Sequence, residues 1–376
     1  MADKKPVVVY GASGYTGRLV CESLRDLGIP FIAAGRDAVK LKASMESNVA
    51  GIETADYEIV EVSHDVESLT ELFTGAKVVC NMVGPFARYG HEAVQAALAA
   101  GVHYIDTTGE QDWVIDCDEK YGQQFADAGL LLSPGIAQMY TTGEIAAELC
   151  LETPGIDTLD IAVFWGGSPT IASTQTILYN AATAPAQYLV RNQYVQHDPT
   201  EGHAQLVIPG QHELGLALPW GGTSHPVWYK NDPRVQTCKA LGGVFNKALM
   251  VGVPQIVGAA LEATKDMNED DKNAALEATA REVMNVMPPR ENPWLNKSLD
   301  SVYGSGPLAH VHCVIHGNQN YKQTGLLQAY AAGQLIAGAN KKVGFASGCK
   351  AFGHRELLGV LRAYGFVAEP VLTVQA

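Results

Sequence analysis

The sequence gives no sign of a membrane span, a secretory leader or a disulfide framework. None of its apolar runs is long enough to cross a bilayer, and the segment Met1–Lys5 leads directly into a predicted strand. The seven cysteines are scattered, with no two close enough for a zinc knuckle or a dithiol motif. We therefore expect buried, reduced thiols in a cytoplasmic protein.

Basic residues are also scarce. The 376 residues include 26 Lys and Arg against 40 Asp and Glu, so the formal net charge is −14. Phosphate backbones and anionic membranes bind positive surfaces. We expect no nucleic-acid partner and no membrane span. The expected partners are a small-molecule substrate and a second copy of the chain, in a homodimer formed through the second domain.

A metal site is not indicated. His310, His312 and His316 stand at even spacing in a predicted strand, which places their side chains on one face. No carboxylate or cysteine falls on that face to complete a ligand set. We favour a solvated or ligand-facing strand edge and expect no metal.

The first part of the chain alternates strands with helical stretches. This order predicts an α/β fold, a Rossmann-type doubly wound parallel sheet across about the first 140 residues. Its predicted strands are Val7–Tyr10, a strand within Pro30–Arg36, Tyr57–Val62, Lys77–Val83, His103–Asp106 and Leu130–Ser133.

From Ile156 onward the pattern changes. Long segments rich in Thr, Trp and Tyr predict a second, α+β domain built on a largely antiparallel sheet, with strands at Leu159–Trp165, Ala204–Ile208 and Ala309–His316. Helices are predicted at Lys265–Met287, at Tyr321–Ala337 and near Arg355–Tyr364. We predict a first domain at 1–145, a substrate and oligomerisation domain at 146–337, and a tail at 338–376 that packs back on the first domain.

A glycine-rich turn joins the first strand to the first helix. Gly11, Gly14 and Gly17 follow a β-branched run and precede an amphipathic stretch, the context that a dinucleotide-binding turn requires. Glycines let backbone N–H groups and the helix N-terminus approach a pyrophosphate. The predicted contacts in this turn are Gly11, Ser13, Gly14, Tyr15, Thr16 and Gly17.

The end of the second strand indicates which nucleotide binds. An NAD site usually offers Asp or Glu to the ribose hydroxyl there, but this chain has Gly35 and Arg36. A guanidinium can bind a 2′-phosphate, so NADP(H) is favoured over NAD(H). Asp37 follows directly and would weaken this preference, and the alternative is that Arg36 is a solvated loop cation.

Three segments resemble a known family. Val8–Gly17, Asn81–Gly90 and Tyr104–Glu110 together resemble the saccharopine dehydrogenase-like NAD(P)-binding oxidoreductases, which include the trans-acting enoyl reductases. The resemblance implies that Gly84, Pro85 and Phe86 lie at the cofactor.

The same resemblance places Asp106, Gly109 and Glu110 near the reacting end. Glu110 alternatively offsets the dipole of a helix N-terminus. Short-chain dehydrogenases use Tyr-x-x-x-Lys as proton donor, but none of the 15 tyrosines here has Lys four residues later. The remaining candidate donors are Tyr140, Tyr179, His225 and Glu110.

Several aromatic residues of the second domain suggest an apolar substrate. Trp165, Trp220, Trp228, Tyr229 and Trp294 would wall a pocket for an apolar molecule, or would fill a core. The leading interpretation is an NADPH-dependent reductase that transfers a hydride to a C=C, C=O or C=N bond of a relatively apolar small molecule. The alternatives are a saccharopine-type amino-acid dehydrogenase acting through an imine, and a non-catalytic NADP-binding redox sensor.

Overall fold

The computed structural model describes residues 4–183, 185–198, 201–219 and 224–375. In these ranges the strands are β1 Val7–Tyr10, β2 Phe31–Gly35, β3 Tyr57–Glu61, β4 Val78–Asn81, β5 His103–Asp106, β6 Leu131–Ser133, β7 Thr158–Trp165, β8 Gln187–Val190, β9 Gln193–Gln196, β10 Ala204–Val207, β11 Leu214–Ala217, β12 Thr237–Val244, β13 Lys297–Ser305, β14 His310–Asn318, β15 Gly344–Phe345 and β16 Val371–Gln375.

The helices of the same ranges are α1 Tyr15–Asp26, α2 Ala38–Asn48, α3 Val66–Phe73, α4 Phe86–Ala100, α5 Gln111–Asp116, α6 Gln123–Asp127, α7 Gln138–Leu151, α8 Ile171–Thr183, α9 Ser224–Tyr229, α10 Lys247–Thr264, α11 Glu269–Val283, α12 Asn320–Ile336, α13 Gly348–Phe352 and α14 His354–Ala363. A π-helical stretch, Cys117–Gly122, joins α5 to α6.

The chain folds into two compact units. Unit 1 comprises Met1–Thr108, Trp113–Thr141 and Tyr321–Tyr364, and unit 2 comprises Gly109–Asp112, Thr142–Asn320 and Gly365–Ala376. The predicted second domain runs to residue 337, whereas in the structure the chain re-enters unit 1 at Tyr321. Close packing explains why α12 belongs to unit 1: a Cβ at Gly325 would lie 2.7 Å from the carbonyl oxygen of Leu19 on α1.

The sheet of unit 1 is parallel throughout. Its strand order is β15-β6-β5-β4-β1-β2-β3, with β1 paired to both β2 and β4. Every residue of β1, β2 and β4 is buried, as expected for strands covered by helices on both faces. The predicted doubly wound sheet is confirmed, and the tail contributes β15 as its edge strand.

Unit 2 is built on a mixed sheet. Its order is β16-β14-β13-β7-β12-β8-β9, in which β7 and β12 run parallel and the other neighbours are antiparallel. The prediction of a largely antiparallel second sheet is therefore confirmed. The predicted strand Ala204–Ile208 forms β10, which pairs only with β11 in a separate hairpin.

The hairpin covers part of one face of the large sheet. Its side chains pack on a core of unit 2 that comprises Phe164, Ile208, Ala217, Leu299 and Val314. All seven cysteines are buried and unbridged, as predicted.

Candidate functional site

The glycine turn closes on itself so tightly that two of its glycines are required by packing alone. Gly11 has φ +87°, and a Cβ there would lie 2.9 Å from Cγ2 of Val83. A Cβ at Gly17 would lie 2.4 Å from the carbonyl oxygen of Gly11 and 2.8 Å from Cα of Ala12. These two positions fix the path of the backbone between β1 and α1.

Gly14 serves a different purpose. It is the N-cap of α1, with ordinary extended backbone (φ −68°) and no side-chain cap, and its Cβ would approach only the carbonyl oxygen of Gly11, at 3.3 Å. The first turn of α1 carries no acidic residue. The helix N-terminus is therefore open to an anion, and the missing side chain at Gly14 leaves room for a pyrophosphate.

Arg36 follows β2 and is exposed, at the position expected for a 2′-phosphate contact. Asp37, which would weaken the preference for that phosphate, is engaged elsewhere: it caps α2 by accepting a hydrogen bond from Lys40 N at 2.9 Å. The exposed cation at this position therefore has an acidic neighbour that is already hydrogen-bonded, and its contact with a 2′-phosphate stays a prediction. This arrangement suits NADP(H) better than NAD(H).

A Tyr-His-Glu cluster at the same edge of the sheet was not predicted. The hydroxyl of Tyr10, the last residue of β1, lies 2.7 Å from Nδ1 of His64, and Nε2 of His64 lies 3.5 Å from a carboxylate oxygen of Glu92. Burial raises the pKa of Tyr10 to about 12, with Arg36 opposing that shift. No spacing along the sequence joins these three residues. The available sequence signal is that Tyr10 ends one parallel strand and His64 closely follows the carboxyl end of another.

The segment after β4 is held by its own side chains. The side-chain oxygen of Asn81 accepts a hydrogen bond from Val83 N at 3.0 Å, and its Nδ2 donates to the Tyr104 hydroxyl at 2.9 Å. Gly84 and Pro85 follow, with Pro85 as the N-cap of α4. The ring of Phe86 is buried in the core of unit 1, so its predicted cofactor contact can involve only its backbone or ring edge. Cofactor contacts for Gly84, Pro85 and Phe86 stay a prediction.

Asp106, at the end of β5, is a carboxylate of unit 1 that accepts several hydrogen bonds. It is fully buried and accepts from the Tyr104 hydroxyl (3.0 Å), Trp113 Nε1 (2.9 Å), Thr108 N (3.0 Å) and Gly135 N (2.8 Å). Burial raises the pKa of Asp106 to about 6, and these four donors limit the shift.

This network makes Asp106 a positioning residue. Through Tyr104 it connects to Asn81, and through Gly135 it fixes the loop after β6. The side-chain amide of Gln328 on α12 adds bonds to the carbonyl oxygens of Asp106 (2.7 Å) and Ile136 (2.8 Å). The carboxyl ends of three neighbouring strands of unit 1 are thereby held in one geometry.

Glu110 lies in unit 2 and is fully buried just before α5. It accepts a hydrogen bond from the Thr176 hydroxyl of α8 at 3.2 Å. Tyr179 stands three residues further along α8, so both residues are on the same side of that helix. The structure therefore brings Glu110 to the helix face that carries Tyr179, whereas its alternative role at a helix N-terminus involves only the six-residue α5.

The other two candidate donors lie in different surroundings. Tyr140 is half-buried on α7, in unit 1. His225 is fully buried on α9 in unit 2, where its ring packs edge-to-face on Trp228 with centroids 5.4 Å apart. A Cβ at Gly143 would lie 3.0 Å from Nε2 of His225, so the imidazole is tightly packed.

Of the aromatic residues predicted to wall a substrate pocket, some lie in the core and one lies on the surface. Trp165, Trp228 and Tyr229 are buried, Trp294 is 80% exposed, and Trp220 lies outside the described residues.

Of the three histidines predicted on one strand face, His312 stacks on Tyr303 with ring centroids 3.9 Å apart and is hydrogen-bonded to Ser301.

The described residues contain neither a cluster of metal ligands nor a membrane-spanning helix. Within them, no three His, Cys, Asp or Glu side chains converge as metal ligands would. Among the helices of the same ranges, none has the length and apolar composition of a membrane span.

Two known families match different parts of the chain. Residues 7–131 match the saccharopine dehydrogenase NADP binding domain, and residues 141–376 match a family described as a family of unknown function, DUF5938. The matched NADP-binding domain identifies NADP(H) as the cofactor, in agreement with Arg36.

Two of the curated relatives each align with about a third of the chain. A lipid droplet localized protein of Caenorhabditis elegans is 37% identical over 131 residues, which are 33% of this chain and 31% of that protein. A trans-acting enoyl reductase of Mycobacterium ulcerans is 34% identical over 126 residues, 33% of this chain and 30% of that protein. The chain thus spans about a third of the length of the curated relatives it matches.

One solved structure matches almost the whole chain. The apo saccharopine dehydrogenase (L-Glu forming) from Saccharomyces cerevisiae aligns with a TM-score of 0.61 at 10% identity, covering 98% of this chain and 100% of that one. The fold is therefore that of saccharopine dehydrogenase, and the resemblance predicted from the sequence is confirmed. The chain belongs to the DUF5938 family, and it carries the NADP-binding domain of the saccharopine dehydrogenases in its first part.

Proposed function

We propose that this protein is an NADPH-dependent reductase that transfers a hydride to a C=C, C=O or C=N bond of a relatively apolar small molecule. The observation that carries the proposal is the glycine turn, in which Gly14 leaves the N-terminus of α1 open while Arg36 stands at the end of β2. NADPH supplies the hydride, and the protein must bind it, orient the nicotinamide and exclude water.

The charges of unit 2 argue against a substrate with several carboxylates. Such a substrate calls for clustered, available arginines. Arg234 is engaged with Glu148 (2.9 Å) and Asp232 (2.7 Å), and Arg281 with Glu277 (2.8 Å). This distribution supports an apolar acceptor over saccharopine itself, and the relative named a trans-acting enoyl reductase makes a C=C bond a natural first choice.

Reduction of the acceptor also requires a proton. Tyr140, Tyr179, His225 and Glu110 are the proposed donors, with Tyr179 and Glu110 favoured because Glu110 accepts a hydrogen bond from Thr176, which lies three residues before Tyr179 on α8. A phenol that gives its proton to the reduced substrate can recover one from solvent or from a protonated carboxylic acid.

The decisive experiment measures NADPH consumption against a panel of enoyl, ketone and imine acceptors. Consumption with an apolar enoyl or carbonyl compound supports the proposal. Tight NADPH binding without consumption across the panel supports the redox sensor, and turnover confined to amino-acid imines supports the saccharopine-type dehydrogenase.

The proton donor is tested by removing single hydroxyl groups. Tyr179→Phe and Tyr140→Phe keep the ring, so turnover should fall about a hundredfold in the variant that loses the donor while the Kd for NADPH is unchanged. If both variants, singly and combined, turn over like the wild type, the donor is a different group and Glu110→Gln becomes the next variant.

The homodimer through unit 2 and the cytoplasmic location stay proposals. Sedimentation would test the first and cell fractionation the second.

A further inference from the structure

Unit 2 contains a cavity of about 570 Å³ that the proposed reaction does not use. It opens at one end of β13 and β14 and is bordered by the Ile208–Gln211 turn after β10 and by the segment before β16. A volume of this size lies within the range of small-molecule sites.

The floor of the cavity is apolar and fixed. Ile208 and Leu299 line it and are also members of the buried core of unit 2. Phe245, another lining residue, stacks on Phe164 of that core, with ring centroids 6.1 Å apart. Val367 completes the apolar lining. A hydrocarbon chain placed here would contact side chains that are already held by packing.

The rim carries positive or hydrogen-bond-donating groups. Lys297 and His316 both line the cavity and lie on the same face of the β13–β14 pair, near its open end. Asp and Glu are absent from the described lining, although the chain has 40 of them and a net charge of −14. Lys297 is exposed, and none of the ion pairs found in the described ranges engages its ammonium. An anionic group would find complementary charge at this rim.

Trp294 lies at the edge of the cavity, in a turn that is held by hydrogen bonds. Its backbone N–H donates to the side-chain oxygen of Asn292 at 2.9 Å, and Asn292 N donates to the side-chain oxygen of Asn296 at 2.8 Å. The indole is nevertheless 80% exposed. A large aromatic side chain held at the mouth of an apolar cavity is typical of a ligand-binding surface.

We infer that this cavity binds a medium- or long-chain aliphatic carboxylate. The hydrocarbon chain would lie on Ile208, Leu299, Phe245 and Val367 with Trp294 over it, and the carboxylate would bind Lys297 and His316 at the rim. The inference goes beyond the proposed reaction, because none of the residues that carry it takes part in the proposed hydride or proton transfer.

The test compares decanoate with decanol, which share a chain and differ in charge. Calorimetric titration of the full chain should show decanoate binding more tightly than decanol. Lys297→Gln should weaken decanoate about three- to tenfold, the effect expected for a partly exposed charge-assisted contact, and leave decanol within about twofold. Lys247→Gln is the matched control, because it removes an exposed lysine of unit 2 that does not line the cavity and should change neither affinity.

Tryptophan fluorescence gives a second readout that does not depend on enzymatic turnover. Decanoate should shift the emission of the wild type to shorter wavelength as Trp294 is covered, and Trp294→Phe should lose the shift while still binding decanoate in the calorimeter. Equal affinities for decanoate and decanol that Lys297→Gln does not change would overturn the assignment of a carboxylate. A failure to bind either compound, together with self-association that Trp294→Phe abolishes, would show that a second copy of the chain covers the cavity instead.

Discussion

The two units cover their seven-stranded sheets in different ways. In unit 1 every strand is parallel and its central strands are buried completely, whereas the sheet of unit 2 leaves apolar strand side chains in solvent, among them Tyr303 of β13 and Val371 and Val374 of β16. A parallel sheet needs helical crossovers, and these cover both faces. A mostly antiparallel sheet can close with hairpins and leave part of a face open. Apolar surface for substrates or partners is therefore available mainly in unit 2.

One buried aspartate in each unit shows the same contrast. Asp106 and Asp300 are both fully buried. Asp106 accepts four hydrogen bonds, whereas Asp300 accepts one, from the Thr142 hydroxyl at 2.9 Å. Burial raises the pKa of Asp106 to about 6 and that of Asp300 to about 8. The number of donors explains the difference, because each donor stabilises the ionised form. Unit 1 holds a charge for positioning, and unit 2 keeps a neutral acid in its core.

The largest expected effect is that of Gly17→Ala in unit 1. The new methyl would meet backbone atoms of Gly11 and Ala12, which cannot move without opening the turn. We expect a loss of about 3 kcal/mol in the free energy of unfolding and no measurable NADPH binding, by denaturation and fluorescence titration.

Gly252→Ala in α10 of unit 2 is the control for that substitution. No described atom lies within 4 Å of a Cβ there, so it should stabilise the protein by about 0.5–1 kcal/mol. Unchanged NADPH affinity in Gly17→Ala would place the nucleotide elsewhere.

Asp106→Asn tests whether the hydrogen-bonded carboxylate holds unit 1 together. An amide offers one acceptor oxygen where the carboxylate offers two, and its NH₂ group would face donors such as Trp113 Nε1. We expect the free energy of unfolding at pH 7 to fall by about 2–3 kcal/mol. NADPH affinity should fall as well, because the strand ends lose their common anchor. A variant as stable as the wild type would remove the positioning role.

Arg36→Ala tests the choice of nucleotide in unit 1. The Kd for NADPH should rise by a factor that corresponds to about 1.5–2 kcal/mol, the lower part of the range for a charge-assisted contact, because Arg36 is exposed. The Kd for NADH should hardly change, since NADH lacks the phosphate. Equal weakening of both cofactors, in paired titrations, would mean that Arg36 does not contact the 2′-phosphate.

Asp300→Asn tests the neutral acid of unit 2 through the pH dependence of stability. The pKa of Asp300 is raised in the folded state, so between about pH 4 and pH 8 the folded protein holds a proton that the unfolded chain has released. This group therefore makes the folded state less stable as pH rises through that window, by at most about 1.4 kcal/mol per pH unit.

The amide variant removes this slope. The difference in stability between Asp300→Asn and the wild type, from denaturation at several pH values, should shift in favour of the variant from pH 5 to pH 8. A difference that does not change with pH would show that Asp300 is ionised throughout.

Local sequence patterns predicted unit 1 better than unit 2. The path of Val7–Gly17 follows from contiguous residues, since a β-branched strand, spaced glycines and an amphipathic helix each act over a few positions. Arg36 was proposed as a phosphate contact in the same way, by its place after β2, and that contact stays a prediction. In unit 2 the sheet was predicted, but the separate pairing of β10 with β11 was not, because strand partners are chosen by packing rather than by propensity.

What the sequence determined by itself is therefore the nucleotide-binding turn, the parallel sheet around it and the preference for NADP(H). The tertiary structure decided which distant residues meet: Trp113 and Gly135 with Asp106, Thr176 with Glu110, and Tyr10 with His64. It also decided that Trp165 is buried while Trp294 is exposed. The physical reason is that propensity and periodicity act between neighbours in the chain, whereas burial and hydrogen bonding depend on which surfaces the completed fold covers.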